Sequence, residues 1–323
     1  MKPQLITLRQ IGQESATQEV SRKKTLMQKP DTITRFAPSP NGRLHLGHAY
    51  SALYAAEKAA ELGGRFLLRI EDIDVGRCRP EFVEGIYEDL EWLGLTWEIP
   101  VRQQSEHFPD YEAALKQLRD MDVVYPCFAT RREIEQTIAD NGIDAERWPR
   151  DPDGALLYPG IYKDISPKES SRLMWEGRTY AWRLDTEKAM RLAIKKSGGA
   201  ITFTELQGSP SGKTGAQPIK PELFGDVVIA RKDVPTSYHL SVLVDDALQN
   251  ITHITRGRDL YSATYIHRLL QVLLDLPEPR YCHHRLIEDE AGRRLSKSAK
   301  DMGLKDLREA GKTPADIRQM IRI

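Results

Sequence analysis

From Thr32 onward the hydrophobic period of the chain switches repeatedly between that of a strand and that of a helix, and this alternation narrows the fold more than any other feature. "TITRFAP" reads as a short buried strand. From Leu46 to Leu62, small and apolar residues return at helical spacing through Ala49, Leu53, Ala56 and Ala60. "RFLLRIEDID" reads as a second strand, and "PEFVEGIYEDLEWLGL" as a helix with Phe82, Ile86, Leu90 and Leu93 on one face. Such alternation predicts an α/β fold, a parallel sheet with helices on both faces. Ligands of these sheets bind outside the carboxyl ends of the strands, so residues that directly follow a strand become the functional candidates.

The pattern changes between about Pro126 and Phe224, where Gly- and Pro-rich stretches such as "WPRDPDGALLYPG" surround short strand-like pieces, "TYAWRLD" and "AITFTEL". This predicts an inserted α+β domain. Periodicity resumes in "DVVIARKD", in the apolar run that ends at Asp245 and Asp246, in "ITHITRGRDL" with Arg256 at its end, and in the helical "SATYIHRLLQVLLDL". The expected layout is an extension over 1–30, a first catalytic half over 31–125, the insert over 126–224, a second catalytic half over 225–280, and a loop with a short helical tail over 281–323.

His45 and His48 fall at the first strand-to-helix junction, with Gly47 between them. Free backbone N–H groups and the positive end of the helix dipole make such a junction an anion site, and glycine permits close approach of a ligand. Two imidazoles there suit a phosphate. Much later stands "GRRLSKSAKD", Gly292 to Asp301. Lysine and serine runs are also common on solvated surfaces, so this loop gains meaning only through its order after His-x-Gly-His.

Composition sets the class of chain. With 323 residues, 40% hydrophobic and 29% charged, it is long enough for about two domains with cores. Residues 1–30 lack a long apolar stretch, so they do not read as a signal peptide. No segment approaches the length of a membrane span. Cys78, Cys127 and Cys282 are few and widely spaced, a reducing, cytoplasmic profile. Lys plus Arg and Asp plus Glu balance at 47 each, so bulk charge does not announce nucleic acid, although a local basic face remains compatible with it.

With these motifs in order, the sequence resembles the class I aminoacyl-tRNA synthetases of the glutamyl type. "RFAPSPNGRLHLGH" is similar to their first signature and "RRLSKS" to their second, with "RIEDID" and "VLVDDALQNITHITRGRDL" similar to segments between them. The resemblance implies a Rossmann-like nucleotide-binding domain and ATP as substrate, with Mg2+. It implies catalytic roles for His45, His48 and Lys297, and an ATP site built from Pro38, His45, Gly47, His48, Ser296 and Lys297. It assigns the amino acid to Arg35, Ser39, Glu71, Tyr238 and Arg256. A dicarboxylic amino acid needs cations for its carboxylates and an anion for its ammonium, and two Arg plus Glu71 supply that inventory. Arginines also close ordinary ion pairs, and Glu71 is equally suited to pair with one of them.

Members of full length continue after the second signature into a helical domain that reads the anticodon, and the tail after Ser298 is too short for one. The resemblance therefore implies a shortened paralogue, a monomer. It would activate glutamate without tRNA and pass it to queuosine in the anticodon of tRNA(Asp), the insert gripping the stem-loop. A truncated enzyme charging a tRNA acceptor end, or a non-catalytic binder of glutamate or adenylate, are the other readings. Many such paralogues hold zinc in the insert through Cys-x-Cys and Tyr-x-x-x-Cys. Here Cys127 and Tyr158 remain while Ala129 and Tyr162 stand at the other positions, so no zinc is expected. Packing around Tyr125, Phe128, Tyr158 and Tyr162 is expected instead.

Overall fold

The computed structural model describes residues 32–142, 144–287 and 302–323. The extension over 1–30 and the second-signature loop, with Ser296 and Lys297, lie outside the described residues. In chain order the main elements are β1 (Ile33–Phe36), α1 (Leu46–Glu61), β2 (Arg65–Ile70), α2 (Pro80–Trp92), β3 (Arg102–Gln103), α3 (Phe108–Asp120), β4 (Val124–Cys127), α4 (Arg131–Asp140), α5 (Pro167–Trp175) and β5 (Ala181–Leu184). They continue with α6 (Thr186–Ser197), β6 (Thr202–Gln207), β7 (Gly215–Pro218), β8 (Val228–Arg231), α7 (Tyr238–Leu248), β9 (His253–Gly257), α8 (Ala263–Leu273), β10 (Arg280–His284), α9 (Leu304–Glu309) and α10 (Pro314–Ile321).

β1 pairs β2 in parallel with Ile33 opposite Arg65, and β2 pairs β3 in parallel. On the other side β10 lies parallel between β6 and β9. Thr252, just before β9, joins the two groups: its N–H donates to Ile33 O at 3.0 Å and its Oγ1 accepts from Ile33 N at 2.8 Å. The resulting order is β3-β2-β1-β9-β10-β6, with β7 antiparallel at the β6 edge. The chain leaves β1 first in one direction and later in the other. That reversal opens a crevice between the carboxyl ends of β1 and β9.

Both faces of this sheet are covered, as the alternation of strands and amphipathic helices requires. Phe66, Leu68 and Ile70 of β2 pack with α1, α2, α9 and α10. Leu67, between them, packs on the opposite side with α3, α6, α7 and α8. Period-2 alternation thus puts apolar side chains into two separate cores.

The sheets do not follow the expected domain boundaries. β4, β5 and β8 form a separate antiparallel sheet, with Val124 opposite Leu184. However, β6 and β7, inside the expected insert 126–224, belong to the large sheet, and β8, assigned to the second catalytic half, belongs to the small one. Strand period shows which face of a segment is buried; it does not show which sheet it joins.

Candidate active site

A cleft of about 450 Å³ lies in the crevice outside β1 and β9. The expected phosphate-side residues Pro38, His45, Gly47 and His48 line it, and so do the expected amino-acid residues Arg35, Ser39, Glu71, Tyr238 and Arg256. Ser296 and Lys297 lie outside the described residues.

His45 is the N-cap of α1, and the two imidazoles cap that helix reciprocally. His45 Nδ1 accepts from Gly47 N at 3.0 Å, and His48 Nδ1 accepts from His45 N at 3.2 Å. An imidazole whose Nδ1 accepts carries its proton on Nε2 in the neutral form. The rings stand 3.9 Å apart at the helix's positive end. A Cβ on Gly47 would come within 2.9 Å of His45 Cε1, which explains the glycine in the motif.

Arg35, on β1, reaches across to α7. Its Nε donates to Asp246 Oδ1 at 2.9 Å, its Nη2 to Oδ2 at 3.3 Å, and its Nη1 to Thr255 O at 3.2 Å. Arg69 Nη2 donates to the same Asp246 at 2.7 Å and approaches Glu71 Oε1 at 3.5 Å. Burial alone would raise Asp246, but Arg35 and Arg69 outweigh it and hold the carboxyl below its ordinary value. For Glu71 burial wins: it pushes the carboxyl up to about 7 against the pull of Arg69 and Arg35. Glu71 can therefore offer an anion to an ammonium, and becomes a better one once that ammonium is bound.

Arg256, on β9, is held differently. Its Nε donates to His283 Nε2 at 3.2 Å and its Nη2 to Thr264 Oγ1 at 2.6 Å. Its Nη1 meets His267 Nδ1 at 3.2 Å and Tyr238 Oη at 3.5 Å. Among the described residues no carboxylate pairs with it. Its charge is therefore available to a ligand carboxylate.

Sequence reasoning missed Asp246, Arg69, His283 and Glu205 as supports of the site. The available signal for Asp246 was the acidic pair Asp245 and Asp246 in an otherwise apolar run, since buried carboxylates demand partners. His283 and Glu205 gave no local signal.

In the small sheet, Cys127 is buried. Tyr162 N donates to Tyr158 Oη at 2.8 Å, the Phe128 and Tyr162 rings meet edge-on at 5.5 Å, and Tyr125 Oη donates to Asp226 at 2.7 Å. Lys163 Nζ lies 3.1 Å from both Asp185 and Asp226. The donor set around Cys127 does not fit a structural zinc: Ala129 has no ligand atom, and among the described residues no group of three His, Cys, Asp or Glu side chains is arranged for a metal.

The sequence pattern for the catalytic domain of class I tRNA synthetases (E and Q) matches residues 31–323. A Glutamyl-Q tRNA(Asp) synthetase from Rhodobacter capsulatus is 45% identical over 90% of this chain and 99% of its own. Its namesake from Nitratidesulfovibrio vulgaris is 36% identical over 88% and 83%. Among solved structures, a glutamate tRNA ligase from Elizabethkingia meningosepticum, in complex with its amino acid, superposes with a TM-score of 0.71 at 26% identity. That match covers 90% of this chain and 60% of the ligase. With its parallel sheet, its crevice at the strand reversal and this match along nearly the whole described length, the chain belongs to the class I tRNA synthetases (E and Q), by their catalytic domain.

Proposed function

We propose that the protein activates L-glutamate with ATP to glutamyl-adenylate without tRNA, then transfers glutamate to queuosine in the anticodon of tRNA(Asp). The observation that carries this reading is one cleft joining an imidazole-capped helix terminus to two arginines and a glutamate. The similarity to Glutamyl-Q tRNA(Asp) synthetases, one over 99% of its length, supports the acceptor.

In the first step a glutamate α-carboxylate oxygen attacks the α-phosphorus and pyrophosphate leaves. ATP is taken up as its magnesium complex, the metal screening triphosphate charge. The Nε2–H groups of His45 and His48 donate to phosphate oxygens as charge builds there, with Pro38 and Gly47 shaping the wall. Lys297, with Ser296 beside it, neutralises the leaving pyrophosphate. Arg35 and Arg256 hold carboxylates, Glu71 takes the ammonium, and Ser39 and Tyr238 add hydrogen bonds. In the second step a hydroxyl of the queuosine cyclopentenediol attacks the acyl carbon and AMP leaves. The unit around β4, β5 and β8 grips the anticodon stem-loop, and the protein works as a cytoplasmic monomer.

Labelled glutamate, ATP and tRNA(Asp), with and without queuosine, test the reading. Product that appears only on queuosine-bearing tRNA, with pyrophosphate exchange in the absence of any tRNA, is expected. Equal charging of unmodified tRNA overturns the queuosine assignment, and exchange that strictly requires tRNA(Glu) favours a truncated enzyme that charges a tRNA acceptor end.

A further inference from the structure

Behind Arg256 lies a chain of buried polar side chains that the activation chemistry does not use. Glu205 on β6, His283 on β10 and Arg256 on β9 lie in three neighbouring strands, and His267 on α8 approaches from the helical layer. All four are at least nine-tenths buried. Glu205 Oε2 lies 2.6 Å from His283 Nδ1, and its Oε1 accepts from the backbone N–H of His283 and of Gln207, each at 3.2 Å. Gly208 follows in the left-handed region at φ +85°, and a Cβ there would sit 1.6 Å from His283 O. Glycine thus permits the close approach that seats Glu205 against His283.

Hydrogen-bond logic fixes the imidazole protons in this chain. A guanidinium has donors and no acceptor, so each nitrogen facing it must present a lone pair. His283 therefore accepts from Arg256 through Nε2 and carries its proton on Nδ1, where Glu205 receives it. His267 must do the reverse: its Nδ1 accepts from Arg256, and its Nε2–H donates to His239 Nδ1 at 3.2 Å. The Tyr281 ring, 5.5 Å from the guanidinium carbon, and Thr264 complete an uncharged surround. Burial, reinforced by Arg256, keeps both His283 and His239 in the neutral form, down to about 2 and about 4. The same causes hold His267 well below its ordinary value.

We propose that Glu205, His283, His267 and His239 are positioning residues that lock two opposite imidazole tautomers onto Arg256, fixing its direction without neutralising its charge. Arg35 shows the alternative: a carboxylate, Asp246, shared with Arg69, holds that side chain and also offsets part of its charge. Imidazole lone pairs give the geometry and leave the cation for the substrate. Because the carboxylate of Glu205 acts through a ring, it orients the cage without pairing with the guanidinium.

The proposal rests on Arg256 as a ligand of glutamate, and the test separates the two. Glutamate-dependent pyrophosphate exchange is measured for the wild-type protein, His283→Leu, His283→Gln and Glu205→Gln. His283→Leu should raise KM for glutamate ~10-fold or more while KM for ATP and kcat stay within about twofold. His283→Gln, whose amide oxygen can accept from Arg256 Nε, should bring KM for glutamate back to within about threefold of wild type. Glu205→Gln, which lets an amide donor face Nδ1, should raise KM for glutamate several-fold. Parallel changes in both KM values, or a fall in kcat alone, overturn the cage, since they report a loosened sheet. Wild-type protein lacking glutamate-dependent exchange refutes the substrate; active wild type with unchanged KM for glutamate in the variants refutes the cage. Long-range proton–nitrogen correlation spectra of the wild-type protein decide the tautomers even where a variant fails to fold. At about pH 7, neutral His283 protonated on Nδ1 and neutral His267 protonated on Nε2 are expected. The opposite tautomer, or an imidazolium at either residue, overturns the proposal.

Discussion

Arg35 Nε stands 2.9 Å from Asp246 Oδ1, so one of the two arginines assigned to the amino acid belongs to an internal ion pair. Arg256, facing the same cleft, is held by neutral groups among the described residues. Asp246 also takes Arg69 at 2.7 Å, with all three side chains buried. Removing one partner of such a cluster leaves uncompensated charge in a dry site, whereas removing Arg256 leaves none in direct contact. Asp246→Ala should therefore lose ~3–5 kcal/mol in urea denaturation. Arg256→Ala should lose markedly less, yet raise KM for glutamate ~10²-fold with kcat little changed, because in its proposed role it pairs a carboxylate already charged in the ground state. Equal stability losses would show that the two arginines are not held in the different ways described.

Glu71 supplies a pH dependence. Its carboxyl is pushed up to about 7 by burial, with Asp245 and Asp246 adding to that push and Arg69 and Arg35 opposing it. In the role proposed for Glu71 the ammonium of glutamate needs the ionised form, so kcat/KM for glutamate should climb with pH and level off above about 7. Glu71→Gln should lower the plateau and flatten that limb. The stability effect has the opposite sign. The folded state binds this proton more tightly than the unfolded chain, so Glu71 makes the protein less stable as pH rises from its ordinary range towards about 7. Denaturation midpoints of Glu71→Gln should fall less than those of wild type over that window. A glutamate profile flat from acid to neutral pH would remove Glu71 from the ammonium site.

The legible parts of this molecule are those set by local period. β1, α1, β2 and α2 could be read because parallel strands buried on both faces and amphipathic helices carry distinct apolar spacings. His45 and His48 could be placed at a helix start for the same reason. That both Nδ1 atoms are spent on capping depends on ring orientation, which spacing does not carry. Asp246 read only as the end of an apolar run, because its partners Arg35 and Arg69 are 211 and 177 residues away in sequence. Glu205 was read with the insert because "AITFTEL" announces a strand with a buried face, and only the fold shows that this strand pairs with β10.

Lys297 provides a kinetic contrast with Arg256. It lies outside the described residues, and the role proposed for it rests on the resemblance of its segment to the second signature: charge grows on the leaving pyrophosphate only as the bond to the α-phosphorus breaks. Lys297→Ala should lower kcat of pyrophosphate exchange on the order of 10²-fold while leaving KM for glutamate nearly unchanged. If Lys297→Ala and Arg256→Ala give the same kinetic pattern, the division between transition-state and ground-state roles is wrong.

The small sheet offers a test of a different kind, on metal content. A zinc site needs four ligand atoms in a closed tetrahedron, and the stretch around Cys127 has one thiol, the Tyr158 hydroxyl, and Ala129 where a second thiol would stand. The Tyr158 hydroxyl already accepts from Tyr162 N, and the Phe128 ring meets those of Tyr162 and Tyr180, each at 5.5 Å. Lys163 supplies a cation to Asp185 and Asp226, tying the stretch that follows Tyr162 to two other segments. Protein purified without chelator or metal-affinity resin should contain far less than one zinc per chain, and a chelator should leave its melting temperature unchanged. Lys163→Met should lower the melting temperature, through loss of a charge-assisted bridge between two acidic groups. Close to one zinc per chain, removed by a chelator together with the fold of the β4-β5-β8 unit, would show this reading of the ligands to be mistaken.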